Sequence, residues 1–503
     1  MRAVAVVLGL VACGDNATER EVCEPPTGEL PTTGPFLEPY AVELPEDCVI
    51  GGLRDLPGRW FISNPDQFFQ FEYPKYEGGC TTGFSRSFAT EDHDEADRTK
   101  STRYTWSDGT RYYERTRQVY DFADNYEIAR GTVSCIRPDG TLAVTYLRFD
   151  SDNLERYFSA TGVRFAPKDE LAANMELVGE LGPIVGNEAI YGLNLIVENN
   201  IAYVVGTDGF DTIDVSDPAH PVRLGHVDGY LNDVRIVHGG GKIVAFAASE
   251  AGDDRVWIID ATDPAAPEFV SVIDEYAHSL QVRTTGPLTE LFLANYTAGV
   301  PRYDVSNPLA PVKTGTSVMP GQTLSGIHDL TVYGDRIYAN NTDAGFVAVD
   351  TSANFSAPVE LGRKASAYSH ASWAANINGR EIVLHGDEGM AGSEGAAFLR
   401  VLDGDPASPT FMMDIGRYQS RREVGIHNIE VHGTRAYISY YQDGIRIVDL
   451  ADPTHPVEVA HYNTWNPESA YGGAFEGAVG VRKAGDYVYV ADLERGLIIL
   501  REL

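Results

Sequence analysis

The chain has 503 residues, 43% of them hydrophobic and 22% charged, the composition of a globular protein long enough for two or more domains. Acidic residues outnumber basic ones 73 to 39, giving a formal net charge of −34 at pH 7. That balance argues against nucleic acid and against anionic lipid as partners, since both are met by basic patches. It fits a soluble surface and weak binding of divalent cations.

At the N-terminus Arg2 precedes an apolar run, Ala3–Leu10, too short to span a bilayer and suited to the core of a signal peptide. Leu10-Val11-Ala12-Cys13 resembles a bacterial lipobox, which implies cleavage before Cys13 and lipidation of that residue. Gly14 follows where an Asp would retain a lipoprotein at the inner membrane, so the expected address is the outer membrane or cell surface. A plain signal peptide with an incidental cysteine is the alternative. Residues 14–46, with EPPTGELPTTGP at Glu24–Pro35, have the composition of an extended tether.

From 47 to 167 the pattern changes to strands: Gly58–Ile62, Gln67–Tyr73, Thr81–Ala89, Ser101–Trp106, Thr110–Tyr120, Tyr126–Ile136, Thr141–Phe149 and Leu154–Phe165. Asp108-Gly109 and Asp139-Gly140 mark turns. This predicts a small antiparallel β-barrel or sandwich. The opening Gly58-x-Trp60 faintly resembles lipocalin-like barrels, which would imply room for one small apolar ligand; a filled core is the alternative. The acidic run Glu91–Asp97 reads as a solvated loop or as carboxylate ligands for calcium. Cys23, Cys48, Cys80 and Cys135 allow three disulfide pairings, and we expect Cys80 with Cys135 and Cys23 with Cys48. No CxxC is present, so zinc and redox readings of these cysteines are weak.

Residues 175–503 are a repeat. Copies read IDVSDPAHPVRLG (Ile213–Gly225), IIDATDPAAPEFVSV (Ile258–Val272), YDVSNPLAPVKTG (Tyr303–Gly315), VDTSANFSAPVELG (Val349–Gly362), VLDGDPASPTFMMDIG (Val401–Gly416) and IVDLADPTHPVEVA (Ile447–Ala460). In the sixth unit, four strand-like runs (427–431, 435–441, 445–450 and 457–462) are separated by His432-Gly433-Thr434, Gln442-Asp443-Gly444 and a proline turn at 451–456, which cannot continue a ladder. A period near 45 residues with four short strands matches a propeller blade. First strands are expected near Leu193, Asn232, His278, His328, His370, His427 and Val479. The seventh unit lacks a fourth strand, and the orphan Met175–Leu181 is expected to supply it and lock the ring. The predicted fold class is therefore all-β: a seven-bladed β-propeller preceded by a small antiparallel β-barrel or sandwich domain. The strings WIID (Trp257–Asp260) and IVDL (Ile447–Leu450), each before a DP turn, resemble the LVIVD-repeat family. The resemblance spans about residues 175–503 and implies a propeller on a bacterial secreted or surface protein, with no agreed reaction.

His278, His328, His370 and His427 open the first strands of four consecutive units. First strands line the channel of a propeller, so these imidazoles are candidates for a divalent-metal site at its mouth: zinc, copper or iron, or calcium where carboxylates join. Asn232, Asp233 and Glu476 are the candidate auxiliaries. The competing reading is that each histidine bonds backbone in its own or the next unit. Asp214, Asp260, Asp304, Asp350 and Asp449 are expected to accept bonds from the DP turns. The insertion His385–Glu394 is expected to project as a loop, and 471–476 to cover the channel mouth. No GxSxG, P-loop or HExxH motif occurs. The leading expectation is a lipid-anchored scaffold for a protein, glycan or envelope component. The runner-up is a metal-dependent hydrolytic or redox enzyme on the four histidines. A third is a ligand-carrying barrel on a propeller platform.

Overall fold

Alternating apolar and polar residues, rich in valine, isoleucine and tyrosine, are cut at short intervals by glycine, aspartate and proline, and the chain folds accordingly into strands. The computed structural model describes the strands between 58 and 164, residues 47–49, 52 and 137–141, and all of 165–503 except 169, 183–191, 251–253, 322–325, 343, 367, 389–397 and 467–474. Cys13, the tether, Cys23 and Cys80 lie outside the described residues. No α-helix occurs among the described ones. The chain divides into two units: Met1–Asn64 with Glu72–Arg164, and Phe165–Leu503 with Pro65–Phe71.

The first unit contains β1 (Gly58–Ser63), β3 (Ser85–His93), β4 (Asp97–Ser107), β5 (Tyr112–Tyr120), β6 (Tyr126–Ile136), β7 (Leu142–Asp150) and β8 (Asn153–Arg164), with β2 (Phe68–Tyr73) between the first two in the chain. They form one antiparallel sheet in the order β1-β8-β7-β6-β5-β4-β3. One continuous series of ladders replaces the two sheets a sandwich would need. Strand β3 runs on to His93, which pairs with Asp97, so most of the acidic run expected to be a loop is strand. Buried residues are consecutive at 60–62, 132–136 and 142–145, so here both faces of the sheet are covered.

The expected disulfide pairing is overturned: Cys48 is bonded to Cys135, with Cα atoms 5.7 Å apart. The reason is local. The Val49 N–H donates to the Ile136 carbonyl at 2.8 Å, which lays the segment before β1 along the end of β6.

The second unit contains, among the described residues, seven antiparallel sheets. Sheets one to six span 194–228, 233–273, 279–317, 329–364, 369–418 and 429–462, with their strands in chain order. Ala172–Ala173, which sequence reading missed, adds a short fifth strand to sheet six. Sheet seven takes three strands from 478–502, and its fourth is Met175–Leu181, antiparallel to Gly496–Glu502 with Leu177 opposite Leu500. First strands pack side by side from each sheet to the next, and that of sheet seven packs on those of sheets six and one. Apolar clusters fill the spaces between sheets. Val244, Phe246 and Ile258 of sheet two meet Leu280 and Leu291 of sheet three, and Ile445 and Ile447 of sheet six meet Val488 and Ile498 of sheet seven. Burying each such side chain contributes about 1.5–3 kcal/mol.

A feature absent from the sequence reading recurs in all seven sheets. The fourth strand carries one extra residue, so the ladder skips 224, 270, 314, 361, 415, 459 and, in the closing strand, 178. Each skip is a β-bulge, which sharpens twist at the outer edge. The residue after it approaches the next sheet's proline turn. A Cβ on Gly225 would lie 2.2 Å from the Pro267 ring, and one on Gly179 would lie 2.2 Å from the Pro218 carbonyl. Sharing the bulge and the close approach makes Met175–Leu181 equivalent to the other fourth strands. The turns are built alike. Asp214, Asp260, Asp304, Asp350 and Asp449 each accept a bond from the backbone N–H two residues on, at 2.8–3.0 Å. The Ser216 hydroxyl and then its N–H hold the Asp214 carboxyl below its ordinary range, and the N–H and then the hydroxyl of Ser306 and Ser352 do the same for Asp304 and Asp350.

Candidate functional site

The first strands point alternate side chains to the space they share, because successive residues of a strand face opposite ways. A cavity of about 210 Å³ results, lined from every sheet: Asn194, Asp233, His278, His328, His370, His427 and Arg482. Its polar wall is internally bonded. Asp233 accepts from Asn194 at 2.5 Å, Arg235 at 2.6 Å and the Leu280 N–H at 2.6 Å. Ser279 donates to Asp329 at 2.6 Å, and burial pushes the Asp329 carboxyl up. Arg482 donates to the Val481 carbonyl at 2.9 Å, and burial lowers its pKa.

The four predicted histidines form a row, each beside the next. Ring centroids are 3.6 Å apart for His278 and His328, 4.5 Å for His328 and His370, and 4.5 Å for His370 and His427. They do not converge as one set of four. Successive first strands are neighbours along a wall, so the rings line up around it. Nitrogens of His278, His328 and His370 lie within 4.8 Å of one another, as do the donor atoms of His370, His427 and Glu388.

The repeat also uses these residues structurally. His370 Nδ1 donates to the His427 carbonyl at 2.9 Å, and His427 Nδ1 donates to the Val479 carbonyl at 3.1 Å, each tying one first strand to the next. A carbonyl only accepts, which fixes the proton on Nδ1 in both rings. Asn232 makes the same tie from sheet two, its amide donating to the His278 carbonyl. Val479, which breaks the histidine series, thus supplies a carbonyl to it.

Burial, and then the neighbouring imidazoles, hold His328 and His427 well below the ordinary histidine value, so both are neutral at physiological pH. His278 goes the other way. Burial alone would lower it, but Glu250, 2.9 Å from its Nδ1, outweighs burial and raises it. Glu250 also receives the hydroxyls of Tyr276 at 3.0 Å and Tyr296 at 3.3 Å. Against burial, the bond from His278 and those hydroxyls bring its own pKa down. At the far end of the row Tyr441 donates its hydroxyl to Glu388 Oε1, and the other oxygen lies 3.5 Å from His370 Nε2. Tyr441 stands at φ 37°, a left-handed backbone that bulky residues rarely adopt. Phe475 packs on Tyr441 at 5.2 Å and Tyr368 on His328 at 5.6 Å, so aromatic rings flank the row.

Several expectations are corrected. Glu476 does not reach the cavity: it is fully buried, accepting the Trp465 indole N–H at 2.8 Å. Residues 471–474 of the segment expected to cover the mouth lie outside the described residues, and Phe475 is exposed and packs on Tyr441. The segment expected to project from sheet five begins instead as strand, Arg380–Asp387. His385 is buried within it, bonded to Ser369 Oγ at 2.9 Å and pushed down to about 3 by burial and nearby cations. Glu388, the next residue but two, turns toward the row. Sequence reasoning missed Glu250 and Glu388 as partners of the histidines, since each lies beyond a second strand and meets the row only when sheets stand side by side. The acidic HGDEG string was the one local signal for Glu388.

Compared with known proteins, the chain carries LVIVD repeats at residues 192–229, 327–365, 426–464 and 478–500, matching sheets one, four, six and seven. Solved structures similar to it include the WD40 β-propeller domain of Doa1, at 8% identity, covering 65% of this chain and 97% of that one with a TM-score of 0.46. U3-55K is similar at 7% identity over 65% and 98%, TM-score 0.46. YCF48 bound to D1 peptide is similar at 9% identity over 67% and 97%, TM-score 0.42. No curated protein matches.

Proposed function

We propose that this chain is an exported bacterial lipoprotein, anchored at the outer membrane or cell surface through Cys13, whose seven sheets act as the blades of a propeller scaffold. The stretch 14–46 is the tether, and the sheet of the first unit is the wall of a small barrel. The scaffold binds a protein, glycan or envelope component at the mouth of its axial cavity. One observation carries the reading: a cavity lined from all seven sheets, with Tyr368, Tyr441 and Phe475 framing its histidine row. Aromatic faces beside buried polar groups suit recognition of a sugar ring or an apolar side chain.

The test is direct. Full-length protein made in a bacterial host with labelled fatty acid is expected to take up label and partition to the membrane, and Cys13→Ala is expected to lose both. The released protein is then presented to purified peptidoglycan, outer-membrane vesicles and a glycan array. Retention by the wild type with loss in Phe475→Ala supports the scaffold; equal retention by the variant removes the cavity mouth as its site. A second reading, a metal-dependent hydrolytic or redox enzyme in the same cavity, is favoured by the contiguous imidazoles.

A further inference from the structure

The ties between sheets account for one nitrogen of each bonded imidazole and leave the other unexplained. Asn232 shows that an amide suffices for the tie. His370 uses Nδ1–H for it, so in the neutral ring Nε2 carries a lone pair. That nitrogen is buried, has no hydrogen-bond partner among the described residues, and faces a carboxylate oxygen of Glu388 at 3.5 Å. His328 Nδ1 is likewise buried without a hydrogen-bond partner. A lone pair set against a carboxylate and beside a second unpartnered nitrogen is an arrangement of acceptors without a donor. Buried acceptors of this kind are costly unless a proton or a metal cation stands between them.

We propose that His370, His427 and Glu388 hold a divalent transition metal of the zinc class. The donor atoms of these three lie within 4.8 Å of one another, while His328 belongs to the separate group it forms with His278 and His370. A tetrahedral ion with bonds of 2.0–2.1 Å sets its donors roughly 3.3 Å apart, so the side chains close in by about 1.5 Å at most. The outer partners that orient metal ligands are already in place. A carbonyl holds Nδ1–H of His370, another holds that of His427, and the Tyr441 hydroxyl holds Glu388. Imidazole nitrogen with one carboxylate selects a borderline ion over calcium or magnesium. Because His370 has a single free nitrogen, the row takes one ion. His278 stands outside the set, paired with Glu250. The inference rests on the cavity alone and is independent of anchoring and of scaffold binding.

The test uses full-length protein without an affinity tag, stripped with chelator and then given one equivalent of Zn²⁺ or Co²⁺. Uptake of about one ion per chain is expected, with visible d–d absorption for Co²⁺ and a zinc-dependent rise in Tm. His370→Asn and His427→Asn keep an amide donor at the tie and remove the ligand nitrogen. They are expected to fold and to retain less than a tenth of the metal. Tyr441→Phe is expected to weaken binding at least ten-fold. His278→Asn is expected to bind as the wild type does. Failure of the wild type to take up either ion overturns the proposal, even where a variant does not fold. So does stoichiometric metal in His370→Asn, or loss in His278→Asn with retention in His427→Asn.

Discussion

The two units of this chain tie distant segments together by opposite means. In the first, neighbours in the chain are neighbours in the sheet from β3 to β8. The one long return, β1 onto β8, is reinforced by a covalent bond between Cys48 and Cys135 across a separation of 87 residues. In the second, no described cysteine is used. Closure comes from one strand, Met175–Leu181, pairing with a partner more than 300 residues away and flanked by ion pairs of Glu176 with Arg501 and Glu180 with Arg495. A single sheet has few equivalent contacts to spread the cost of loop closure over, so a staple is effective there. A repeat spreads it over seven like interfaces and needs only one sheet assembled from both ends of the chain.

The strongest test of this contrast is reduction. Mild reductant, or the double change Cys48→Ala with Cys135→Ala, is expected to lower the stability of the first unit by about 4.6 kcal/mol, the loop-entropy value for a separation of this size. Hydrogen exchange of β6 and β7 should report the loss while sheets one to seven stay protected. Equal loss in both units would make the staple a property of the whole molecule. The next effect is Gly179→Val, where the new side chain meets the Pro218 carbonyl. About 2–3 kcal/mol of destabilisation is expected, read as a lower Tm of the second unit and as faster exchange in Gly496–Glu502. An unchanged Tm would show that the closing strand does not bear on stability.

The smallest effect sharpens the comparison by pH. Burial, with the charges of Asp492 and Glu476, pushes the Glu494 carboxyl in sheet seven up to about 9. A folded value above the ordinary 4.5 means that the fold binds this proton more tightly than the unfolded chain does. The stabilisation is full below about 4.5 and declines as pH rises toward 9. Glu494→Gln removes that titration. The Tm of the second unit is then expected to exceed the wild type by about 2–4 °C at pH 8–9, with little difference at pH 4.5. Parallel Tm–pH curves for the two proteins would refute the assignment.

The histidine row shows where local reading stops. That His278, His328, His370 and His427 share one place in the repeat is visible in the string itself, because period and strand parity are local properties. Whether they form one cluster or a row depends on how far apart successive first strands stand, which no single unit specifies. Glu250 and Glu388 come to the row from neighbouring connections, so their identity as partners is a matter of packing between sheets.

By itself the sequence determined the all-β class, the four-strand unit, the aspartate-capped proline turns and the segment available to complete sheet seven. Each follows from side-chain alternation, proline's missing donor and the reach of a short carboxylate. Only the tertiary structure decided the Cys48–Cys135 bond, the bulge in every fourth strand, the burial of Glu476 beside Trp465, and the facing of His370 Nε2 on Glu388. These depend on distances between segments far apart in the chain, and such distances are set by the mutual packing of sheets, which residue order along one strand does not encode.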